Sequence, residues 1–193
     1  MNVFVTGSTG YIGSAVAAAF RRAGHRVFGL ARSSEKAHAL ARAEIVPVLG
    51  DLAAPDSFLA VARGCDLFVH CASENSASTV ELDRAAIDTF LAASRDATAP
   101  RALLYTSGVW VYGDTGGRLV DETSPLTPLD LARWRVAHEQ LVLAATSSKL
   151  RTLVLRPGCV YGGSGGLTIP WFSSALAGAV EMVGDGTNCW STV

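Results

Sequence analysis

A chain of 193 residues with 49% hydrophobic and 17% charged side chains has the length and apolar content for one globular core. Sixteen basic against seventeen acidic residues leave a net charge of −1, which argues against a nucleic-acid partner or a polybasic membrane anchor. No apolar run reaches membrane-spanning length, and Cys65, Cys71, Cys159 and Cys189 lack paired-ligand spacing, so we expect no metal and reduced thiols in a cytoplasmic protein.

The first element is a strand at Asn2–Thr6, already a core strand, which leaves no room for a cleavable signal. It runs into Gly7-x-x-Gly10-x-x-Gly13 and a helix over Tyr11–Ala23. A strand feeding such a turn builds an anion site from backbone. Gly7 and Gly10 place no side chain between the amides and a pyrophosphate, and Gly13 lets the helix pack close with its positive end facing the anion. The bracketing strand and helix give the glycine spacing its meaning. Gly24 caps this helix, and Arg26–Leu30 is the second strand. Then come helix Ser34–Ala43, strand Ile45–Leu49, helix Pro55–Ala62, strand Asp66–Cys71, helix Ser78–Ala97 and strand Ala102–Thr106. A helix over Pro128–Ser147 and a sixth strand at Arg151–Arg156 complete the series, with Pro55 and Pro128 suited to first helical turns. The strands are rich in Val and Leu, as in parallel strands covered on both faces.

This alternation predicts an α/β class: a Rossmann-type doubly wound parallel sheet in a three-layer α/β/α arrangement, strand order 3-2-1-4-5-6. Pro47 agrees, because a strand containing proline belongs at an edge and the third strand is one. Ligands of such sheets lie across the carboxyl ends of the strands, where the loops Tyr112–Pro125 and Cys159–Gly166 fall. We divide the chain into an NAD(P)-binding domain over 1–162 and a partial, truncated C-terminal substrate-binding region over 163–193, too short to stand alone. Charge bears on the cofactor. The second strand ends Leu30-Ala31-Arg32-Ser33-Ser34, without the carboxylate that binds both ribose hydroxyls of NAD. Arg32 instead suits a 2′-phosphate, so NADP is preferred over NAD.

The motifs Thr6-Gly7-Ser8-Thr9-Gly10-Tyr11-Ile12-Gly13, Gly50-Asp51-Leu52, Asp66–Ala72, Thr106–Gly113, Asp121-Glu122 and Arg156–Gly162 occur in order along essentially the whole chain. In this the chain resembles an extended, atypical short-chain dehydrogenase/reductase of the NAD-dependent epimerase/dehydratase family. The resemblance implies that Gly7, Thr9, Gly10, Tyr11, Ile12 and Gly13 form the cofactor turn and that Asp51 and Leu52 reach the adenine. It further implies that Cys71, Ala72 and Ser73 line the ribose and phosphates, that Thr106 and Pro157 face the nicotinamide side, and that the chain forms a homodimer through Ser78–Ala97 and Pro128–Ser147.

Hydride-transferring members of that family carry Tyr-x-x-x-Lys on the helix after the fifth strand, where the ammonium lowers the pKa of a phenol four residues away. This chain has only Lys36 and Lys149, and neither follows a tyrosine by four. Aligned on Glu139-Gln140-Leu141, Leu131 takes the tyrosine's place and Arg135 the lysine's. Arg135 stays charged and grips the cofactor ribose. The helper hydroxyl falls at Gly108, with Ser107 one residue away, so Ser107 and Arg135 are the catalytic candidates. Tyr112 and His138 are lesser candidates for proton transfer, Trp134 is a candidate to stack on a ligand, and His70 reads as a structural histidine. The terminal stretch 183–193 resembles a family segment that normally continues toward the substrate. Two functions follow from these residues. One is an NADP-dependent oxidoreductase or epimerase-like enzyme on a small carbonyl or sugar-like substrate. The other is a non-catalytic cofactor-sensing protein like the NmrA relatives, or an inactive truncated relative.

Overall fold

Alternate residues of the first strand face opposite ways, and each set finds its own apolar layer. In the computed structural model, which describes every residue except Asn75, Ser164, Glu181, Val183 and Asn188, β1 spans Asn2–Thr6. Val3 and Val5 pack against α1 (Tyr11–Arg22) and α2 (Ser34–Arg42), whereas Phe4 packs against α3 (Asp56–Ala62) and α4 (Thr79–Arg95) on the other side. The sheet is completed by β2 (Arg26–Ala31), β3 (Val46–Leu49), β4 (Leu67–His70), β5 (Arg101–Thr106) and β6 (Leu150–Leu155). All neighbours are parallel in the order β3-β2-β1-β4-β5-β6, so the chain reverses direction across the sheet between β1 and β4. Pro47 does lie on an edge strand.

The richer core lies on the α3–α4 side. Phe90 stacks on Phe68 at 4.8 Å and meets Phe4 and Phe58 edge-on at 5.9 and 6.3 Å. The α4 stripe Ala86, Ile87, Phe90 and Ala93 supplies the helical face that makes this possible.

Several expectations need correction. β6 is covered on one side only: Leu153 and Leu155 are half exposed, because the layer on that face holds α1 and α2, which lie over the opposite half of the sheet. The helix expected from Pro128 begins later, as a 3-10 turn over Asp130–Ala132 that leads into α5 (Arg133–Ala144). Leu129 remains extended at the start of that turn, so Pro128 precedes the helix instead of opening it. Val109–Tyr112 also forms a 3-10 turn. Gly24 sits just past the cap residue Ala23 at φ +82°, and the bonds Gly24 N–H to Arg21 O and His25 N–H to Phe20 O close the helix end around it. Within 163–193 the chain folds into α6 (Ile169–Leu176), and β7 (Tyr161–Gly162) pairs antiparallel with β8 (Gly165–Gly166). Of the terminal stretch 183–193, Val183 and Asn188 lie outside the described residues. Among the described residues no helix is long and apolar enough to cross a membrane, and no cluster of metal-ligating side chains occurs.

Phe90→Ala removes the ring on which three other phenylalanine rings converge, so we expect a loss of about 3–5 kcal/mol in urea unfolding. A variant as stable as the wild type would show that the aromatic cluster does not carry this side of the core.

Candidate functional site

The turn after β1 is built by backbone contact. Gly7 adopts φ +69°, and a Cβ there would lie 2.6 Å from the Ala72 amide nitrogen at the end of β4. A Cβ on Gly13 would lie 2.2 Å from the Gly7 carbonyl oxygen, so Gly13 packs against the turn itself. Gly10 is the N-cap of α1 and no side chain caps it, which leaves the amides of the first turn free to donate.

This turn forms the floor of a cleft of about 1270 Å³ along the carboxyl ends of the strands. Of the residues expected around a cofactor, Gly7, Thr9, Gly10, Tyr11, Ile12 and Gly13 line it, as do Arg32, Asp51, Leu52, Cys71, Ala72 and Ser73. So do Ser107, Leu131, Arg135 and Pro157. Thr106 does not. It lies behind Cys71, with its hydroxyl 3.4 Å from the Cys71 sulfur. Tyr11 also ties the cleft to the β7–β8 hairpin, since its hydroxyl donates to the Gly162 carbonyl at 2.8 Å.

Strand order separates the two ends of the cleft. At the β2 end, Arg32 and Lys36 line the wall together with Glu74, and Arg32 pairs with the Glu74 carboxylate. The sequence did not single out Glu74: it stands 42 residues from Arg32, and only the adjacency of the β2 and β4 ends through β1 brings them together. At the β5–β6 end the wall is apolar, with Val109, Trp110, Leu131, Trp134, Val160 and Leu167. Trp110 meets Trp190 edge-on at 5.8 Å. Ser107 lines this end, and its Oγ is buried and finds no partner among the described residues. Leu131 is largely exposed there.

Arg135 reaches from α5 into the cleft, with long contacts to the Tyr105 hydroxyl (3.5 Å) and the Ser73 hydroxyl (3.4 Å). Its guanidinium lies 4.4 Å from the centre of the Trp134 ring. Tyr112 is not on the wall: it is buried and accepts a 2.7 Å bond from Arg156, which Glu139 holds through contacts of 2.6 and 3.1 Å. These bonds to Glu139 and Tyr112 hold the Arg156 guanidinium firmly charged. His70 and His138 are both buried and satisfied by one carboxylate, Asp83 of α4.

The comparisons with known proteins follow this geometry. The family model for the NAD dependent epimerase/dehydratase family matches residues 3–192. The chain belongs to that family. Its six-stranded sheet is the family's NAD(P)-binding Rossmann fold. A 4-hydroxy-2-methyl-3-oxo-4-farnesyl-3,4-dihydroquinoline-1-oxide ketoreductase of Stigmatella aurantiaca is 33% identical over 185 residues, covering 91% of this chain and 55% of that protein. A decarboxylating sterol-4-alpha-carboxylate 3-dehydrogenase of Dictyostelium discoideum is 28% identical, covering 83% of this chain and 54% of its own length. The chain thus spans little more than half of these curated relatives. Among solved structures, a dTDP-glucose 4,6-dehydratase from Bacillus anthracis in complex with NAD superposes with a TM-score of 0.84 at 20% identity, covering all of this chain and 67% of that one.

Behind the family's cleft, Asp83 is the buried charge that needs explaining. Burial pushes its carboxyl up, but hydrogen bonds from His138, His70 and Tyr105 outweigh that and hold it well below the usual carboxylate range. A depressed folded-state pKa means that the ionised group adds stability above the free-aspartate value of 3.8, and that this is lost as the pH falls through the lower folded value. We therefore expect the Asp83 carboxyl carbon, followed by NMR, to keep its carboxylate shift at pH values where a free aspartate is half protonated. Titration at or above 3.8 would contradict the three-donor geometry.

Proposed function

We propose that the chain forms the cofactor-binding part of an NADP-dependent carbonyl reductase whose substrate has an apolar body. The cradle carries the cofactor half of this reading. A helix start with free amides, beside a turn too tight for any Cβ at Gly7 or Gly13, fits a dinucleotide diphosphate. Arg32 and Lys36, at the end of the cleft where the adenosine ribose of such a ligand lies, support a 2′-phosphate. The Arg32–Glu74 pair tempers this: the phosphate competes with a carboxylate for Arg32, and that carboxylate is also placed to accept from ribose hydroxyls of NAD. Both cofactors therefore bind, with NADP ahead by the margin that Lys36 and Arg32 retain.

The substrate half rests on the opposite wall. Trp110, Trp134, Leu131, Val160 and Leu167 offer stacking and dispersion contacts, and few polar groups of the kind a sugar ring requires. The ketoreductase and the sterol dehydrogenase, named for farnesylated and sterol substrates, point the same way. A bound nicotinamide supplies hydride to the carbonyl carbon. Ser107, whose buried hydroxyl has no partner among the described residues, rotates to donate a hydrogen bond to the substrate oxygen, and the proton that completes the alcohol comes from water. Leu131 has no proton to give and adds only apolar surface. Homodimer contact through α4 and α5 belongs to the same proposal, and sedimentation reads it.

A second reading, a cofactor-sensing protein, is favoured by Leu131 alone, since a binding site needs no acid. One experiment separates the two: transfer of deuterium from 4-deuterated NADPH to a panel of aromatic and long-chain ketones. Stereospecific transfer that falls at least tenfold in Ser107→Ala is the expected result. Tight NADPH binding without transfer to any ketone establishes the sensor. In parallel titrations Glu74→Gln should tighten NADPH about two- to fivefold, the size of one exposed ion pair. NADH and NADPH bound equally, with Arg32→Asp changing neither, defeats the NADP preference.

A further inference from the structure

One polar layer interrupts the core beneath the cleft. Strand register sets Thr6, His70 and Tyr105 side by side on β1, β4 and β5, two residues beyond the apolar row Phe4, Phe68 and Leu103. All three point to the face where α4 and α5 pack, and Asp83 of α4 meets them there with 5% of its surface exposed. Its Oδ1 is 3.2 Å from His70 Nε2, and its Oδ2 is 2.9 Å from the Tyr105 hydroxyl and 2.7 Å from His138 Nδ1.

Chemistry fixes the direction of every bond to Asp83. An ionised carboxylate only accepts, so both histidines and the phenol must donate to it. A neutral His70 ring then accepts at Nδ1 from the Thr6 hydroxyl, 2.6 Å away. The phenol of Tyr105 has one proton, and Asp83 takes it. Only lone pairs remain on the side where Arg135 approaches. The buried negative charge is thus linked through one phenol to a permanent cation at the edge of the cleft. His138 and Arg135 stand three apart on α5, so the same helix face carries both ends of the link.

We propose that Asp83 is a positioning residue for the cleft: by orienting the Tyr105 phenol as an acceptor, it holds Arg135 against the wall between Ser73 and Trp134. There the remaining guanidinium donors face a hydroxyl-rich or anionic part of the bound dinucleotide, which rests on the dinucleotide reading above. His138 and His70 complete the device by satisfying the carboxylate's other lone pairs, so that the phenol is not drawn to a second partner.

The test has two readouts. In the absence of cofactor, hydrogen exchange and rotation at the Arg135 guanidinium, followed by nitrogen-15 NMR, should be slow in the wild type and faster in Tyr105→Phe and Asp83→Asn. With NADPH, Tyr105→Phe should weaken binding roughly three- to tenfold, less than loss of a direct charged contact. Arg135→Met should weaken it more, and Tyr105→Phe added to Arg135→Met should then change nothing further. Equal effects of Tyr105→Phe with and without Arg135 would reduce the network to a structural role and overturn the inference. So would guanidinium exchange that is unchanged in a folded Tyr105→Phe protein, whatever the cofactor data show. A wild type that binds neither NADPH nor NADH defeats the dinucleotide reading, while the exchange measurement still decides the role of Asp83. Tyr105→Phe loses only a hydroxyl, so it keeps the test open should Asp83→Asn fail to fold.

Discussion

The contact on which this structure turns is between two glycines. With the Gly13 Cα packed against the Gly7 carbonyl, the first turn of α1 is drawn down onto the end of β1; a methyl group on Gly13 would force them apart, and one on Gly7 would collide with the Cys71–Ala72 backbone. The same turn abuts Cys71 and Ala72 at the end of β4, on the other side of the reversal in strand order. Crevice, anion cradle and close β1–β4 approach are therefore one geometric fact. The rest of the site hangs from it: the β2 end presents charge, the β5–β6 end presents aromatic surface, and the distance between them is set by the width of the sheet.

Two buried carboxylates brace the wall opposite the cradle, and they do so in opposite senses. Asp83 accepts from Tyr105 and leaves that phenol's lone pairs turned toward Arg135. Glu139 grips Arg156, and Arg156 donates to Tyr112. His138 and Glu139 are adjacent on α5, so a single turn of helix feeds both arrangements. Buried charges of this kind bring little net stability compared with well-packed apolar residues, yet removing one partner is costly. That balance suits a wall whose polar groups must keep one orientation and argues against reading either network as ordinary core. It also accounts for Tyr112, which a proton-transfer role would need in the cleft and which instead lies behind it.

How much of this was legible in the sequence depends on the range of the interaction. The strands and α1 through α4 follow from local patterns of apolar residues, and their order follows from the general handedness of strand–helix–strand units. Helix α5 is shorter than its sequence pattern implies, because Pro128 suits a first helical turn, whereas Leu129 stays extended and a tighter turn intervenes. α6 gives no such pattern, because its eight residues are apolar except Ser173 and Ser174 and none is buried. The backbone cradle was readable, since glycine spacing encodes backbone geometry directly. Asp83 was not: its partners lie 13, 22 and 55 residues away, and nothing local distinguishes it from a solvated helix aspartate. The one local hint was the step from apolar to polar along β1, β4 and β5 at the same register. Arg32 was found, but its neutralising partner Glu74 required the folded sheet.

The residues at 131 and 135 make sense together. A lysine four residues beyond a tyrosine serves the phenol by lowering its pKa, and without a phenol that task disappears. What remains useful at the position is a permanent cation with several donors in a fixed plane, which a guanidinium provides better than an ammonium. Arg135 has the surroundings such a cation needs: an indole face at 4.4 Å, a hydroxyl on one side, and a phenol whose only proton is committed elsewhere. A leucine in the place of the acid then widens the apolar wall instead of leaving a polar gap. On the proposed reading the two positions act as one substitution, trading tuned acid chemistry for grip and apolar surface, so that cofactor affinity and substrate shape, more than acid strength, would set what this site does.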